Sequence, residues 1–414
     1  MGSAAAAGPG TCQYPPVRSS RAPAPANAGR TLTLPAAMAA TLRSGRPWIY
    51  RDHVPRGFSA PSGSWVRVQA GDAHAWALWS AESAIALRVF SQREQPSAEW
   101  VRQLVRAAVA LRKLAVPADT NAFRLLFGEG DGLPGVTADV YASHLVIASY
   151  AVGLDEVVRW VADAILEELP LESVVHRRHD QAAAEDEMLR GRSLPEDVVV
   201  EENGVRFYVN LARGQKTGLY LDQRDNRAFV AQYAAGRSVL NLFSYTGAFS
   251  VYAARAGARR VTTVDVSAGV VEAAQENFRL NGLDPGAHEF IVADAFDWVD
   301  SARQGNSEFE LVVCDPPSLA RRKEQRAQAQ KAYRKLNTAA FRLVRLEGFL
   351  ATASCTAQVD PTSFSRSVAE AAARARRRFQ ILRDAGHAAD HPLMAHHPEG
   401  RYLKFLMGRV LKTA

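Results

Sequence analysis

The sequence predicts an α/β protein whose C-terminal half forms an open parallel sheet. Three observations support this prediction. Residues 238–265 contain an apolar strand, a helix with one apolar face and a second apolar strand, in that order. Strands and helices continue to alternate beyond Asp265 as far as a closing strand at 402–410. Residues 31–95 differ, because short alternating strands separated by turns predict a small half-open β barrel there.

Changes in composition divide the chain into four predicted regions. They are a disordered tail (1–30), a β-barrel domain (31–95), a central α/β domain (96–194) and the C-terminal α/β domain (195–414). The tail is rich in Ala, Pro, Ser and Gly and has no acidic residue, a composition that cannot bury a core. A transit peptide is the alternative for this segment, so targeting to an organelle stays open.

Two segments outside the first α/β unit carry further structural predictions. The charged run 176–192 of the central domain is expected to be a solvated connection. In the C-terminal domain, the last helix is expected over 362–378.

The net charge and the cysteine content of the chain limit the class of protein and the cellular setting in which it works. A net charge of +7 is compatible with a polyanionic partner such as RNA, although many enzymes of small molecules are equally basic. The cysteines Cys12, Cys314 and Cys355 are too few and too scattered for a disulfide framework or a metal site. Together with the lack of a membrane-spanning apolar run, this predicts a reducing, cytoplasmic setting without a membrane partner.

The turn after the first strand of the C-terminal domain predicts a nucleoside site. Asp265 lies about 20 residues beyond this turn, the spacing at which an acid accepts hydrogen bonds from a ribose diol. The turn has one glycine instead of the three of the dinucleotide fingerprint, so a nucleoside without phosphates fits better, and S-adenosylmethionine is the common one. The alternative is a structural unit in which Asp265 only caps the next helix. The other cofactor contacts predicted around this unit are Phe243, Tyr245, Thr246, Gly247 and Ser267, and Ser267 is also expected to cap the next helix.

Polar residues beside two other strands complete the predicted cofactor site. Asp294 and Ala295 follow the strand 289–292 and are placed to bind an adenine amino group, although such an aspartate is more often a helix cap. In the charged stretch before the first strand, Arg224 could hold a ligand carboxylate as a bidentate fork and Asp222 an ammonium group. An internal salt bridge is the alternative for this stretch.

Candidate catalytic residues follow two later strands. Pro316 and Pro317 predict a rigid turn. This turn would hold the Asp315 carboxylate towards a nucleotide base that is flipped out of the nucleic-acid stack. Cys355 follows the strand 349–353, again at a carboxyl end, whereas Cys314 lies inside a strand and is expected to pack as a small hydrophobe.

Two basic stretches are candidate RNA contacts. Arginines interleaved with aromatic residues between 42 and 54 could grip a phosphate backbone and stack on a base. These residues are Arg46, Trp48, Tyr50 and Arg51. The basic run that begins with Arg321, Arg322 and Lys323 is the second candidate. The alternatives are a surface loop that plugs the barrel and simple solvation.

These motifs resemble the RlmI-type family of bacterial large-subunit ribosomal RNA cytosine-5 methyltransferases. The resemblance spans 42–410 and rests on RPWIYRDHV, FGEGDGLPGVTADVY, GQKTGLYLDQRDNR, NLFSYTGAF, VVCDPPSLA, the SCT turn, and DHP followed by PEGRYLK. It implies a PUA domain that handles RNA, a small central α/β domain and a Rossmann-like class I methyltransferase domain that uses S-adenosylmethionine. Two departures are Leu319, where the family usually has an aromatic residue at or close to this position, and Thr356, where it has serine.

The resemblance gives the candidate residues a specific chemistry. A thiolate that adds to carbon 6 of cytosine makes carbon 5 nucleophilic, so we expect Cys355 to be the nucleophile and Asp315 to steady the ring near N3. The expected substrate is large-subunit ribosomal RNA, and a homodimer is left open. The alternatives are methylation of an adenine or guanine nitrogen and a non-catalytic RNA-binding assembly factor.

Overall fold

The computed structural model describes residues 30–179, 185–211, 219–305, 307–320 and 322–413. Residues 1–29 of the predicted tail, residues 214–218 of the stretch 214–227 and Arg321 lie outside these residues. The described residues form three main sheets and one hairpin, which follow one another along the chain.

The N-terminal sheet has five strands in the order β1-β3-β4-β5-β2 and one short helix. Its elements are β1 (Arg30–Thr33), α1 (Ala39–Arg43), β2 (Trp48–Tyr50), β3 (Trp65–Ala70), β4 (Ala73–Trp79) and β5 (Ile85–Ser91). Alternating side chains such as Val66 and Val68 are fully buried, as the sequence pattern predicts. Strand β2 was not predicted; it lies within the presumed RNA-binding loop, where Ile49 is fully buried.

The central domain is a five-stranded sheet, in the order β10-β9-β8-β7-β6, with two helices. Its elements are α2 (Ala98–Ala115), β6 (Ala122–Phe127), β7 (Val136–Tyr141), β8 (His144–Ser149), α3 (Asp155–Glu168), β9 (Ser173–Arg178) and β10 (Glu187–Gly191). The prediction of a solvated connection over 176–192 is therefore wrong at both ends. Charged residues can lie in β10 because it is an edge strand that is paired on one side only.

The side chains of Asp155, His176 and Glu187 lie together in this domain, in an arrangement that could hold a metal ion. Arg178 donates to the carboxylates of both Asp155, at 2.6 Å, and Glu187, at 2.5 Å. The guanidinium group thus supplies the positive charge of this cluster.

A hairpin of β11 (Val198–Glu202) and β12 (Val205–Val209) leads into the C-terminal domain. Both turn residues, Asn203 and Gly204, have left-handed backbone angles, with φ of +50° and +66°. This is the geometry of the tight hairpin turn that an Asn-Gly pair predicts.

The C-terminal domain is a seven-stranded sheet in the order β15-β14-β13-β16-β17-β19-β18. The first five strands in this order are parallel, and β19 is antiparallel to both of its neighbours. Its elements are α4 (Arg224–Ala231), β13 (Ser238–Leu242), α5 (Ala248–Arg255), β14 (Arg260–Asp265), α6 (Ala268–Leu280), β15 (Glu289–Val292), α7 (Ala295–Gln304), β16 (Phe309–Cys314), α8 (Arg326–Leu343), β17 (Val344–Ser354), α9 (Pro361–Arg374), β18 (Arg377–Ala385) and β19 (Lys404–Lys412). The predicted α/β fold with an open sheet is confirmed.

The predicted helix over 362–378 is too long. Helix α9 ends at Arg374, and Arg376 takes a left-handed conformation, with φ of +55°, that turns the chain into β18. The arginines at 374 and 376–378 have good helix propensity, so the sequence gives no local signal for this stop.

The loop between β18 and β19 packs against the central domain. The guanidinium group of Arg112 donates to the backbone carbonyl of Asp390 at 2.9 Å. The backbone N–H of Arg124 donates to the carboxylate of Asp390 at 2.9 Å. A Cβ atom on Gly130 would lie 1.9 Å from the carbonyl oxygen of Pro392, so only glycine allows this approach. The contact fixes the loop that leads to Tyr402, which reaches the site described below.

No helix in the described ranges has the length and apolar character that crossing a bilayer requires.

Candidate cofactor and active site

A cavity of about 380 Å³ lies beyond the carboxyl ends of β13, β14, β16 and β17. Its size suits one small ligand. Most of the residues predicted to bind the cofactor or the base contribute to its wall. The lining residues used below are Asp222, Phe243, Tyr245, Thr246, Asp265, Asp294, Ala295, Phe296, Asp315 and Cys355.

The floor of the cavity is a turn with unusual backbone angles. Phe243, Tyr245 and Gly247 all have positive φ, of +56°, +50° and +77°. Such angles cost free energy in residues other than glycine and are concentrated at functional sites. Gly247 does not line the cavity; a Cβ atom there would lie 2.7 Å from the Cβ of Ala274, so glycine lets the turn pack against α6.

Asp265, the last residue of β14, forms a hydrogen bond to this turn. Its Oδ2 accepts from the backbone N–H of Tyr245 at 2.9 Å, and its Oδ1 accepts from the N–H of Ser267 at 3.2 Å. The carboxylate is thereby fixed at the edge of the cavity, where a ribose diol could reach its oxygens. The prediction that the Ser267 side chain caps α6 is wrong: the residue occupies the N-cap position, but its hydroxyl makes no capping hydrogen bond. Ser267 is also absent from the cavity wall.

Two aromatic rings and an acid form a further part of the cavity wall. The rings of Phe243 and Phe296 meet edge to face at 5.6 Å, and Asp294 and Ala295 lie beside them. Asp294 Oδ1 accepts from the N–H of Phe296 at 2.7 Å, so this residue both caps α7 and lines the cavity. The two interpretations of Asp294 are therefore compatible. Phe296 was missed, because nothing in its sequence context separates a ligand-facing phenylalanine from a core one.

Asp222 presents an oxygen that lacks a partner. Its Oδ2 accepts from the hydroxyl of Tyr402 at 2.7 Å. Its Oδ1 is buried and has no hydrogen-bond partner among the described residues. A buried carboxylate oxygen without a donor is costly, so the site favours a ligand that supplies an N–H group. The ammonium group of S-adenosylmethionine meets this requirement.

The predicted role of Arg224 is wrong. Its guanidinium group is fully buried and holds the two oxygens of Asp390 at 2.9 and 3.1 Å. The residue is not part of the cavity wall. The bidentate fork exists, but its partner is an internal carboxylate, because Asp390 comes from a loop about 166 residues away that the sequence does not connect to Arg224.

The two candidate catalytic residues line the same cavity. Asp315 lies there with Pro316 and Pro317, and its Oδ2 accepts from the side-chain amide of Gln223 at 2.9 Å. Cys355 lines the cavity from the end of β17. Cys314 is fully buried in β16, and burial raises the pKa of its thiol, which fits its predicted packing role.

The turn that carries Cys355 is clamped by hydroxyl groups. Thr356 Oγ1 accepts from the N–H of Leu319 at 3.0 Å and shares a hydrogen with the Tyr333 hydroxyl at 2.7 Å. The Ser354 hydroxyl donates to the same tyrosine oxygen at 2.9 Å. The two residues that flank the cysteine thus bind its turn to α8 and to the Asp315 loop. Tyr333 was missed, since it lies in the middle of a helix with no motif around it.

The predicted RNA contacts of the N-terminal domain mostly have internal partners. Trp48 donates to Glu129 at 2.7 Å, and its ring lies 4.4 Å from that of His397. Arg46 forms an ion pair with Glu399. Arg51 donates to two backbone carbonyl groups and lies 4.8 Å from the ring of Trp79. Tyr50 is 37% exposed, and its ring meets that of Trp48 edge to face at 6.5 Å. Arg46 and Trp48 thus join the N-terminal sheet to the other domains.

The second basic stretch is described only in part. Arg322 lies at the surface, whereas Arg321 and the side chain of Lys323 are outside the described part of the chain. Further along α8, Lys331, Lys335 and Arg342 line a groove. Arg374 of α9 completes its basic wall, opposite Asp300 of α7.

The fold and the cavity together define an S-adenosylmethionine-dependent methyltransferase, and comparison with known proteins agrees. The family model described as S-adenosylmethionine-dependent methyltransferase matches residues 171–379, and a PUA-like domain model matches residues 32–92. A solved structure, that of SMU.776, assigned as a methyltransferase and complexed with SAH, has a TM-score of 0.83 and 25% identity. The likeness covers 92% of this chain and 100% of that one.

Curated relatives identify the family more closely. The ribosomal RNA large subunit methyltransferase I of Shewanella denitrificans is 36% identical over 89% of this chain and 96% of its own length. The protein of the same name from Tolumonas auensis is 38% identical over 88% of this chain and 95% of its own length. The chain belongs to this family of methyltransferases, and S-adenosylmethionine is its cofactor.

Proposed function

We propose that the protein methylates carbon 5 of a cytosine in large-subunit ribosomal RNA, with Cys355 as the nucleophile. The observation that carries this proposal is that Cys355 and Asp315 line one cavity with the cofactor-binding groups. The substrate class comes from the relatives named ribosomal RNA large subunit methyltransferase I. The identity of the base comes from the chemistry that a thiol makes available.

The cofactor would be held by groups on three sides of the cavity. Asp265 would accept from the ribose hydroxyls, the corner of Phe243 and Phe296 would hold the adenine with Asp294 at its amino group, and Asp222 would receive the ammonium group. When bound, S-adenosylmethionine supplies a methyl group on a sulfonium sulfur, which leaves as a neutral thioether after transfer.

The thiolate of Cys355 would activate the base by addition. Its sulfur forms a bond to carbon 6 of cytosine, the carbon 5–carbon 6 double bond opens, and the electron pair becomes available at carbon 5. After the methyl group has been received there, a base takes the proton from carbon 5. The double bond re-forms and the sulfur–carbon 6 bond breaks, which returns the thiolate.

Asp315 would hold the ring during these steps. Its carboxyl group lies at the rigid Pro316–Pro317 turn and is oriented by Gln223 at 2.9 Å. A proton shared with N3 of the base would stabilise the negative charge that develops on the ring after the addition. The hydroxyl clamp around Thr356 would keep the sulfur at a fixed distance from this position.

The groove on α8 would take the RNA strand. Lys331, Lys335 and Arg342 extend along a helix that begins shortly after the Asp315 loop. No ion pair occupies Lys331 or Lys335 within the described residues. Unpaired cations in a row match the spacing of a phosphate backbone better than that of a small ligand.

The test is to identify the methylated nucleoside. Large-subunit ribosomal RNA is incubated with S-adenosylmethionine and wild type, Cys355→Ala or Cys314→Ala protein, then digested and analysed by mass spectrometry. We expect 5-methylcytidine from wild type and from Cys314→Ala, and none from Cys355→Ala, although SAH binding by that variant persists in calorimetry.

Two outcomes would contradict the proposal. A methylated adenine or guanine would show that the protein transfers the methyl group to a nitrogen atom, a reaction that needs no thiol. Tight RNA binding without methyl incorporation by the wild type would favour a non-catalytic assembly factor.

A further inference from the structure

Gln223 is a buried amide in the wall of the cavity. It ends the short helical turn Leu221–Gln223 that precedes α4, and only 3% of the residue is exposed. The residue before it is Asp222, the proposed partner of the ammonium group of the cofactor. One turn of the backbone therefore carries both a cofactor contact and the hydrogen bond to Asp315.

The side chain of Gln223 makes one hydrogen bond at each end of its amide group. Nε2 donates to Asp315 Oδ2 at 2.9 Å, and Oε1 accepts from Nδ2 of Asn226 at 2.7 Å. Asn226 is also buried, and its Nδ2 donates in addition to the backbone carbonyl of Gly386 at 3.0 Å. A chain of three hydrogen bonds thus runs from the loop between β18 and β19 to Asp315.

This chain of hydrogen bonds has only one possible direction. A backbone carbonyl accepts but cannot donate, so Asn226 must present its amide nitrogen to Gly386. The same nitrogen gives its second hydrogen to Gln223. Gln223 must therefore meet it with the amide oxygen, which turns the amide nitrogen of Gln223 towards Asp315. One carbonyl group thereby fixes the orientation of two amides that could each be turned over in isolation.

The loop that supplies Gly386 also holds the backbone of the turn. The N–H of Ala388 donates to the carbonyl of Asp222 at 2.9 Å. A Cβ atom on Gly386 would lie 3.2 Å from the carbonyl oxygen of Leu403, so the loop packs closely on the start of β19. The loop thus holds the turn through its backbone as well as through the side chain of Asn226.

We propose that Gln223 is a positioning residue: its amide, oriented by Asn226, can only donate to Asp315 and so fixes the direction in which this carboxylate faces the base. The inference rests on the proposed function in so far as Asp315 contacts the base, whichever base is methylated. A free carboxylate turns about its Cβ–Cγ bond and has to be oriented anew in each reaction. A carboxylate that its neighbours already hold has the required geometry before the base arrives.

The experiment measures the transfer of labelled methyl groups from S-adenosylmethionine to large-subunit ribosomal RNA. Both substrates are saturating, so the rate is kcat for any methylated nucleoside, and SAH affinity is measured alongside by calorimetry. Gln223→Met keeps the approximate shape of the side chain without the amide. Gln223→Glu keeps the shape but donates only when it carries a proton. The control is Gln232→Met, an exposed glutamine directly after α4.

Loss of the amide should slow methyl transfer and leave cofactor binding unchanged. We expect kcat to fall by about 10-fold to 100-fold in Gln223→Met, the effect of one lost hydrogen bond to a charged group. The Kd for SAH should stay at the wild-type value, because Asp222 keeps its hydrogen bond to Tyr402. Gln232→Met should equal the wild type in both measurements.

The glutamate variant tests the direction of the hydrogen bond. Two carboxylates in contact cannot both be ionised, so the new carboxyl group and Asp315 take up a shared proton as the pH falls. The protonated glutamic acid can then donate to Asp315 as the amide does. Divided by the wild-type rate at each pH, the rate of Gln223→Glu should therefore rise as the pH falls from about 8 to about 5, whereas the ratio for Gln223→Met should stay constant.

Other titratable groups line the cavity or lie on α4 and the loop between β18 and β19, and the division by the wild-type rate removes their contribution. They are Tyr220, Asp222, Arg224, Asp225, Arg227, Tyr245, Asp265, Asp294, Cys355, His387, Asp390 and His391.

Three results would overturn the proposal. They are a wild-type kcat in Gln223→Met, an equal loss of kcat and of SAH affinity in that variant, and a relative rate of Gln223→Glu that does not change with pH. If Gln223→Met does not fold, the pH profile of Gln223→Glu decides. Failure of the cytosine chemistry is a distinct result, because it is read from the identity of the methylated nucleoside and from the activity of Cys355→Ala.

Discussion

At the scale of the residue, Asp222 connects the cofactor cavity with the last part of the chain. One of its oxygens is held by Tyr402, which follows the loop at 386–401, and the other is buried without a hydrogen-bond partner among the described residues. The sequence indicated the acid as a candidate for an ammonium group. The sequence could not predict that Tyr402 contacts this acid, because the two residues are 180 positions apart in the chain.

We predict that Asp222→Asn weakens SAH binding. A hydrogen bond to a charged group contributes about 1.5–3 kcal/mol, so the Kd should rise by about 10-fold to 100-fold. Isothermal titration calorimetry measures this, with Asp163→Asn, an exposed aspartate on α3, as the control. An unchanged Kd in folded Asp222→Asn would mean that the ammonium group binds elsewhere.

At the scale of the element, a buried ion pair attaches α4 to the loop between β18 and β19. Asp390 is fully buried and accepts from Arg224, His391 and the N–H of Arg124. Burial alone would raise the pKa of Asp390, but the hydrogen bond from His391 and the charge of Arg224 outweigh it and lower the pKa well below the ordinary value. The pair therefore contributes stability above about pH 4, which is lost as the pH falls through the folded pKa.

We predict that Asp390→Asn lowers the free energy of unfolding by about 3–5 kcal/mol at pH 7, because it leaves Arg224 buried without its carboxylate. The difference from wild type should shrink as the pH falls below 4. Urea unfolding at pH 7, 5, 4 and 3 measures both effects. The control is Asp225→Asn, whose carboxylate also contacts Arg224 but is partly exposed. A difference that does not depend on pH would show that Asp390 is not ionised in the folded state.

The basic groove of α8 gives a second prediction at this scale. We expect Lys331→Ala with Lys335→Ala to weaken RNA binding and to reduce the slope of log K against log salt concentration by about 1.4–1.8, since each phosphate contact contributes about 0.7–0.9. SAH affinity should not change. The control pair, Lys113→Ala with Arg159→Ala, removes the same charge from α2 and α3. Equal slopes for the groove variant and the wild type would exclude this groove as the phosphate site.

The elements also show what the sequence could and could not predict. Strand β15 and the stops of α5 and α6 at Gly257 and Gly282 were predicted correctly, since apolar runs and left-handed glycines are local signals. Strand β18 was not predicted, and its first two residues were assigned to the preceding helix, because arginines favour a helix and only pairing with β19 makes the chain extended. The partner of Arg224 could not be predicted for the same reason: it is set by long-range contacts.

At the scale of the whole molecule, Trp48 lies where the three domains meet. It belongs to the N-terminal sheet, donates to Glu129 of the central domain and packs on His397 of the C-terminal loop. The same loop leads to Tyr402 and hence to Asp222. The position of the PUA-like domain is thus connected to the cofactor cavity through contacts between side chains.

We predict that Trp48→Ala releases this loop. Hydrogen exchange of the backbone amides in 387–401 should become about tenfold faster, which corresponds to a loss of about 1.4 kcal/mol in local stability. Methylation of ribosomal RNA should fall more than SAH affinity does. Tyr50→Ala on the same strand is the control, and equal exchange in both variants would argue against a role for Trp48 as the junction.

The most direct test of the proposed chemistry uses large-subunit ribosomal RNA in which cytidine is replaced by 5-fluorocytidine. Fluorine cannot leave carbon 5 as a proton does, so the sulfur–carbon 6 bond should persist after methyl transfer. We predict a covalent protein–RNA adduct that requires S-adenosylmethionine, maps to the Cys355 peptide by mass spectrometry and is absent from Cys355→Ala. Methylation of ordinary RNA by the same preparation, without an adduct to the fluorinated RNA, would contradict it.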